Sequence, residues 1–503
     1  MYHNRAHGDE HRGRGGMRKG RLIAVAASAA TVSLLSTCAT GLSAAAPASA
    51  SISKPPACAP LSPTSTTPPT LKPTTITTIE QAYYCILANY YYGPVLDDRT
   101  LLVPAFAALT QQLQRRGLDR ADATMPALTG NRDHDIAAFA AVYQRILAEL
   151  PASTRLVQAL AEATMHGMVN SLTDDHVLWL RHAIGVYPLG MMISGLRGAT
   201  AADPAATPPV YVTSVFTGSP AAAAGIRAGD EFVSVNGIPP YINRVLDQNV
   251  IDLLTMSQGP LRLVLHRPAT GRTFTVKLTA SSAVPPPATR TASPTPTSTT
   301  PPPQPSPVTS RLLDGNVAYV KMDEFSLAAA ANVLAAIAKL GKGRTLHGVV
   351  LDLRANGGGD PAADSKLLGA WVHGKAWTYF CNVRGHCTAQ YTDDSVPLLH
   401  LPLVVLTSRF CASACDAFAA TVKDLHLGTL VGTRTAGIVS GPGQAYVLDD
   451  GTVLGLPSLH GLMADKEIVD SIGVAPDYEA PLTADALSAG RDPGLAKALN
   501  LLR

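Results

Sequence analysis

One serine lies where an apolar strand meets the start of a predicted helix, in the run LVVLTSRFCASACD at residues 403–416. The unpaired backbone N–H groups at a helix N-terminus stabilise negative charge. An oxyanion formed beside Ser413 could therefore be stabilised without a charged side chain, and the small residues Ala412 and Ala414 leave room for a carbonyl group. Serine is also a common helix N-cap, so this turn alone does not separate a nucleophile from a cap.

Two further polar segments follow predicted elements elsewhere in the chain. The segment LTDDHV at residues 172–177 comes after a helix with apolar residues at helical spacing, and it carries Asp174, Asp175 and His176. The segment LDLRANGGGD at residues 351–360 follows an apolar strand. Loops at strand ends of an α/β layer gather at one edge, where sites form. The alternatives are an exposed histidine in a turn and glycines that serve only a tight turn.

The composition excludes some classes of function and suggests several domains. A chain of 503 residues is long enough for about three domains. The net charge of +3 is too small to indicate nucleic acid, and we expect no such partner. Stretches rich in Pro, Thr and Ser at residues 51–78 and 283–310 are predicted linkers. They delimit a helical N-terminal domain at 79–181, a β-rich domain at 182–282 and an α/β layered domain at 311–503.

The first 50 residues are predicted to be a signal peptide. Basic residues precede the apolar run from Leu22 to Leu35, which has the length of a signal-peptide core and is short for a membrane span. We expect a secreted or extracytoplasmic protein. The alternative is a lipoprotein modified at Cys38, and only in that case would the membrane be a partner.

Six cysteines remain after Cys38, and an even number in an exported chain favours disulfide bonds. Our hypothesis is that Cys58 pairs with Cys85 and Cys381 with Cys387, but the sequence does not determine the connectivity. No cysteine or histidine spacing is typical of a zinc site, so we expect no metal.

The region VYVTSVFTGSPAAAAGIRAGDEFVSVNGIPP at residues 210–240 closely resembles a PDZ domain. By that resemblance, Leu189, Gly190 and Met191 fall at the carboxylate-binding loop. The resemblance implies that a peptide C-terminus is captured by strand addition. The alternative is a degenerate PDZ domain that only packs against its neighbours or gates access.

The order of motifs resembles the C-terminal processing (tail-specific) serine peptidases. The motifs are DLRANGGG at 352–359, ASA at 412–414, LDDG at 448–451 and GVAPD at 473–477. The resemblance implies a ClpP/crotonase-like peptidase core, a polypeptide substrate and no cofactor. It also implies that Ser413 is the nucleophile and that the backbone amides of Gly358 and Ala414 form the oxyanion hole.

The lysine that serves this family as the base is replaced by Ile438, which cannot accept a proton. The related tricorn-type proteases use a histidine instead, assisted by a hydroxyl and an acidic residue. By that resemblance, His176 is the base and Asp470 the acid, while Asp175 stands where the tricorn type has a hydroxyl. His460 is a second candidate base.

Two other interpretations stay open. One is an inactive pseudo-peptidase that binds peptide C-termini without cleaving them. The other is a thiol nucleophile at Cys411 or Cys415, which oxidation in an exported protein disfavours. Asp416, just after the nucleophile, either caps the helix or orients neighbouring groups.

Overall fold

The computed structural model describes residues 56–62, 70–174, 176–181, 189–197, 201–203, 206–256, 259–280, 307–441 and 443–503. The predicted signal peptide with Cys38, most of both predicted linkers and Asp175 lie outside the described residues. Within these ranges, no helix is both long enough and apolar enough to cross a membrane.

Four helices build the N-terminal domain. They are α1 (Ile76–Asn89), α2 (Arg99–Arg115), α3 (Arg132–Ala148) and α4 (Thr154–Asn170), with a 3-10 turn at Gly93–Val95 and the short strands β1 (Ala59–Pro60) and β2 (Leu178–Leu180). Asn131 and Ser153 begin α3 and α4 as N-caps, because their side chains accept from backbone N–H groups of the first turn. The loop after α4 carries His176.

Short strands and two helices form the next domain. In chain order they are β3 (Met191–Ile193), β4 (Leu196–Arg197), β5 (Ala201–Ala202), β6 (Val212–Val215), α5 (Pro220–Ala223), β7 (Glu231–Val235), β8 (Tyr241–Ile242), β9 (Val245–Leu246), α6 (Gln248–Met256), β10 (Pro260–Arg267) and β11 (Arg272–Thr279), with a 3-10 turn at Pro268–Thr270. The alternating residues Leu261, Leu263 and Leu265 of β10 are buried, as the period of two predicts.

The last domain is the predicted α/β layer. Its elements are β12 (Val308–Leu313), β13 (Val317–Met322), α7 (Leu327–Gly341), β14 (Gly348–Asp352), α8 (Pro361–Leu368), β15 (Ala376–Cys381), β16 (Cys387–Tyr391), β17 (Leu403–Thr407), α9 (Ala414–Asp424), β18 (Thr429–Gly432), β19 (Gly443–Val447), β20 (Val453–Pro457), β21 (His460–Met463), β22 (Tyr478–Glu479), α10 (Ala484–Ser488) and α11 (Pro493–Leu501). The main sheet has the order β12-β13-β14-β17-β18-β22 and is parallel apart from the β12–β13 pair.

The register of two central strands positions the site. Asp352 at the end of β14 pairs with Leu406 near the end of β17. Every residue of both strands is buried, as expected for parallel strands covered on both faces. The glycine turn after β14 and the serine turn after β17 therefore leave the same edge of the sheet side by side.

A hairpin from the C-terminal region belongs structurally to the helical domain, although the sequence assigned it to the α/β core. Strands β19 and β20 lie between β1 and β2 in a four-stranded sheet. Tyr446, Leu448, Leu454 and Leu456 pack in the same apolar cluster as the N-terminal helices. The hairpin thus connects the helical domain, whose last loop carries His176, to the α/β domain.

Three disulfide bonds connect the six described cysteines: Cys58–Cys85, Cys381–Cys387 and Cys411–Cys415. The first joins the chain preceding the helices to α1, and the second closes the turn between β15 and β16. The third spans the turn that holds Ser413, so neither of its sulfurs is a free thiol.

Candidate active site

Ser413 stands at a strained turn between β17 and α9. Its backbone has φ +59° and ψ −120°, a region that residues with a Cβ rarely adopt. Such strain persists only where the surroundings enforce it, and it is concentrated at functional sites. One of these constraints is Asp416, whose Oδ2 accepts from the Ser413 N–H at 3.1 Å.

His176 lies directly against this serine. Its Nε2 is 3.2 Å from Ser413 Oγ, and its Nδ1 is 2.9 Å from Ser440 Oγ. Burial lowers the pKa of the His176 imidazole below its ordinary value of 6.5, and the nearby Asp174 carboxylate opposes this effect. The imidazole is therefore largely neutral at pH 7 and can accept a proton.

Ser440 and Asp174 fix the tautomer of that imidazole. The Ser440 hydroxyl donates to Asp174 Oδ1 at 2.7 Å, so its oxygen accepts the proton carried by His176 Nδ1. Nε2 then presents a lone pair to the Ser413 hydroxyl. Asp174 is buried and also accepts from the Tyr90 hydroxyl at 3.2 Å and from the His176 N–H at 3.0 Å.

The acidic residue expected at Asp470 is not the one in this chain of hydrogen bonds. Asp470 Oδ1 accepts from Val439 N–H at 3.1 Å, whereas the two ring nitrogens of His176 contact Ser413 and Ser440. The carboxylate comes instead from Asp174, two residues before the histidine. Sequence reasoning missed Ser440, whose only signal was its position two residues after Ile438 in an extended segment.

Ile438 does not contribute a polar group to the site. Its side chain is buried and packs against Ala412 and Ala436. None of the described residues that line the cavity beside Ser413 is a lysine. The segment that carries a lysine in the resembling family thus contributes a serine hydroxyl here, at Ser440.

Asp416 connects the turn of Ser413 to the segment that contains Gly437, Ile438 and Ser440. Its buried carboxyl group accepts from the N–H groups of Gly437 at 2.8 Å, Ile438 at 2.9 Å and Ser413 at 3.1 Å. Desolvation nevertheless raises the pKa of Asp416 to about 6. Asp416 is therefore a positioning residue that holds Ser440 and Ser413 in register.

The two predicted oxyanion donors differ in availability. A Cβ at Gly358 would lie 2.6 Å from Ser413 Cβ and 3.0 Å from Ala414 N, so only glycine fits there. However, Gly358 N–H donates to Asn356 Oδ1 at 2.8 Å. Asn356 is itself oriented by the bond from its Nδ2 to the Met322 carbonyl at 3.0 Å. In this conformation Ala414, the first residue of α9, is the better placed donor.

The alternative base, His460, and the alternative nucleophiles, Cys411 and Cys415, make other contacts. The His460 ring stacks on Tyr91 with a centroid separation of 5.2 Å, and burial lowers its pKa. The nitrogen atom within hydrogen-bond distance of Ser413 Oγ belongs to His176. Cys411 and Cys415 are joined to each other, which removes a thiol nucleophile from this turn.

A cavity of about 280 Å³ opens beside Ser413 and His176. Its walls are mainly apolar, and it is lined by Gly359, Pro361, Asp364, Trp377, Thr378, Phe380, Ala414, Ala417, Val439, Ser440, Gly441, Gly443 and Met463. Its volume is just below the usual range for a small-molecule pocket. It is large enough for one side chain of a bound peptide.

The residues predicted to bind a peptide C-terminus lie at the start of β3. Leu189 and Met191 have buried side chains, and the Gly190 carbonyl accepts from Phe216 N–H at 2.9 Å and Ser219 Oγ at 3.0 Å. Among the described residues, β3 pairs only with β6, so its other edge has no strand partner. All three residues of β3 are buried, so this edge is covered rather than open to solvent.

A group of three acidic side chains lies outside this site. Carboxylate oxygens of Asp424, Asp465 and Glu467 come within 4.8 Å of one another, and two of the three residues are exposed. Asp424 is the last residue of α9, and none of the three residues lines the cavity beside Ser413. Exposed acidic groups of this kind do not by themselves make a metal site.

Sequence comparison identifies both folded regions after the helices. Residues 316–480 match the model of peptidase family S41, and residues 211–267 match a PDZ domain model. The carboxyl-terminal-processing protease of Picosynechococcus sp. is 26% identical over 322 residues, covering 63% of this chain and 72% of that protein. Carboxyl-terminal-processing peptidase 3, chloroplastic, of Arabidopsis thaliana is 28% identical over 280 residues, and the match spans about half of each chain.

A shorter segment is similar to the tricorn protease of Thermoplasma volcanium, at 32% identity over 157 residues, which is 31% of this chain and 15% of that one. The solved structure of mature CPAF covers 85% of this chain and 95% of its own, with a TM-score of 0.50 and 15% identity, which supports the fold alone. The predicted fold is confirmed: residues 316–480 match the model of peptidase family S41, and the PDZ domain match at residues 211–267 precedes them.

Proposed function

We propose that this protein is a serine endopeptidase that acts outside the cytoplasm on polypeptides captured by its PDZ domain. The observation that carries the proposal is the continuous set of hydrogen bonds from Ser413 through His176 and Ser440 to Asp174. Nucleophile, base and orienting groups at such distances are typical of acyl-transfer enzymes.

The reaction follows from these contacts. Ser413 Oγ attacks the substrate carbonyl while its proton passes to His176 Nε2. The resulting imidazolium is stabilised through the Ser440 hydroxyl by the Asp174 carboxylate. His176 then gives the proton to the leaving amine, and an acyl-enzyme remains on Ser413. Water, deprotonated by the same histidine, hydrolyses this ester.

The negative charge on the attacked carbonyl oxygen needs backbone donors. Ala414 N–H lies at the start of α9, where the helix dipole adds to the hydrogen bond. Gly358 becomes a second donor if its N–H turns from Asn356 Oδ1 to the substrate. Each donor contributes roughly 3 kcal/mol to transition-state stabilisation.

Two observations support a polypeptide substrate in an oxidising compartment. The match of residues 211–267 to a PDZ domain suits capture of an extended peptide, and two relatives are named carboxyl-terminal-processing proteases or peptidases. Three disulfide bonds are typical of exported proteins and agree with the predicted signal peptide.

A binding-only protein is the second candidate function. The observation in its favour is the bond from Gly358 N–H to Asn356 Oδ1, which leaves the oxyanion hole incomplete in this conformation. In that case peptide C-termini would bind at the PDZ domain and remain intact.

Hydrolysis of a peptide library by the mature protein separates the two functions. We expect cleavage by the native protein, a loss of at least about 1,000-fold with Ser413→Ala or His176→Ala, and little change with His460→Ala. Binding of C-terminal peptides to the native protein without any cleavage would reject the enzyme and support the binding module. Full activity of His176→Ala would reject His176 as the base.

A further inference from the structure

One of the residues that line the cavity beside Ser413, Asp364, has a buried carboxyl group without a hydrogen-bond partner. Asp364, in the first turn of α8, has no exposed surface, and neither of its carboxyl oxygens accepts a hydrogen bond from the described residues. A buried polar group that lacks a partner costs about 1–3 kcal/mol or more. An unpartnered carboxyl group on a residue that lines a cavity is a candidate for contact with a ligand.

The fold of α8 does not require this side chain. The helix is capped by Asp360, whose Oδ1 accepts from Ala362 N–H at 2.9 Å. Asp360 also adds to the negative potential at Asp364 rather than neutralising it. Among the described residues that line the cavity, the only titratable group that becomes cationic is His176, which is engaged with Ser413 and Ser440.

The rest of the cavity wall is suited to an aliphatic chain. Trp377, Phe380 and Met463 contribute apolar surface, and Ala417 lies one helical turn beyond Ala414 on α9. The lining of the cavity therefore combines apolar side chains, one unpartnered acid and the proposed nucleophile Ser413. A lysine side chain has the complementary chemistry, since its methylene stem packs on apolar surface and its ammonium pairs with a carboxylate.

We propose that Asp364 determines specificity for a basic side chain, foremost lysine, in the residue adjacent to the scissile bond. This inference rests on the proposed peptidase function of Ser413. Burial raises the pKa of Asp364 well above its usual range, which favours the neutral carboxyl group when the cavity has no cation. Binding of an ammonium group ionises it, and the released proton passes to solvent.

Matched peptides test the proposal on the full mature chain. One set carries lysine and the other norleucine, which keeps the aliphatic stem but lacks the charge, at each position adjacent to the scissile bond. We expect the native protein to cleave a lysine peptide at least tenfold faster than its norleucine partner. Asp364→Asn should lower kcat/KM for lysine peptides about 100-fold and leave norleucine peptides within about threefold.

Two further variants separate specificity from folding. Asp360→Asn retains the cap on the same helix and should change the lysine preference far less than Asp364→Asn, because Asp360 only adds to the potential at Asp364 from an exposed position. Asp364→Leu should raise Tm by a few degrees, because it removes an unpartnered polar group, and it should reverse the preference towards norleucine. A reversal accompanied by unchanged cleavage of norleucine peptides supports a subsite and not a structural role.

The outcomes that overturn this inference differ from those that overturn the peptidase function. Equal cleavage of lysine and norleucine peptides by the native protein, or an equal loss for both in Asp364→Asn, rejects Asp364 as the determinant while Ser413 stays the nucleophile. If no library peptide is cleaved, and Ser413 is not labelled by a fluorophosphonate, the peptidase function itself fails.

Discussion

The Nε2 atom of His176 lies 3.2 Å from the Ser413 hydroxyl oxygen, although 237 positions separate the two residues along the chain. The histidine loop follows α4 of the helical domain, and the serine follows β17 of the peptidase core. The β19–β20 hairpin links these halves, because it packs among the N-terminal helices while its own chain continues from the segment of Ser440. The site therefore depends on docking of the helical domain.

Replacing Ser440 should disrupt the tautomer of His176 without removing the base. We expect Ser440→Ala to lower kcat about 100-fold, because Nδ1 loses the hydroxyl that relays its proton towards Asp174. Ser440→Thr keeps a hydroxyl and should retain most of the activity. Steady-state kinetics on one peptide measures both variants, and an Ala variant as active as the Thr variant would contradict the relay.

The pH profile should report the lowered pKa of His176. Only the neutral imidazole accepts the Ser413 proton, so kcat/KM falls as pH drops through the histidine pKa, which lies below 6.5. Asp174 raises that pKa, hence Asp174→Asn should move the acid limb to still lower pH as it lowers the plateau. His460→Gln should leave the limb in place. An acid limb above pH 6.5 would contradict this assignment.

Asp416 should matter for stability as well as for activity. Asp416→Ala leaves three buried N–H groups without their acceptor, and we expect it to lower the free energy of unfolding by about 3 kcal/mol or more. The exposed cap variant Asp360→Ala should cost only about 1 kcal/mol. Urea denaturation measures the free energy of unfolding of both variants. An equal decrease in the two would contradict a stabilising role for the three hydrogen bonds that Asp416 accepts.

The Asp416 carboxyl group should also make the free energy of unfolding depend on pH, in a direction that its pKa determines. The pKa of Asp416 is about 6 in the folded protein, above the ordinary value of 3.8, so the folded state binds the proton more tightly. This contribution is fully present below pH 3.8 and is lost as pH rises through about 6. Urea denaturation midpoints are measured from pH 4 to 7 for the native protein and for Asp416→Ala. The native protein should lose stability more steeply than Asp416→Ala as the pH rises through about 6.

The disulfide across the nucleophile turn should support activity more than the disulfide in the β15–β16 turn. We expect the double variant Cys411→Ala and Cys415→Ala to lose about tenfold or more in kcat, because the strained Ser413 backbone loses a constraint. The double variant Cys381→Ala and Cys387→Ala is the matched control and should lose less. Peptide mapping by mass spectrometry checks the pairing, and free thiols at Cys411 and Cys415 would contradict it.

The order of the motifs was enough to predict the fold, because each motif follows an element whose end is determined by local pattern. The resemblance to a known family then predicted that His176 lies close to Ser413. Ser440 and Asp174 were not predicted as partners. Their relation depends on how an extended segment after β18 crosses a loop from another domain, and no periodicity encodes that docking. Asp470 matched the position of an acid in a related family, but here its carboxylate binds Val439 N–H.

The hairpin β19–β20 illustrates a second limit. Its alternating apolar residues predict strands, but the same pattern fits a strand of the core sheet or of a separate sheet. Only the tertiary structure shows that it pairs with β1 and β2. The importance of Asp364 was likewise invisible in the sequence, since a helical aspartate is usually exposed.

Covalent labelling tests the central claim most directly. The mature protein is treated with a fluorophosphonate, and the modified residue is located by peptide mass spectrometry, for the native chain and for His176→Ala. We expect one adduct, on Ser413, that forms at least about 1,000-fold more slowly in His176→Ala. An absence of labelling at Ser413 across pH 5 to 9, or labelling at the same rate in both proteins, would contradict it.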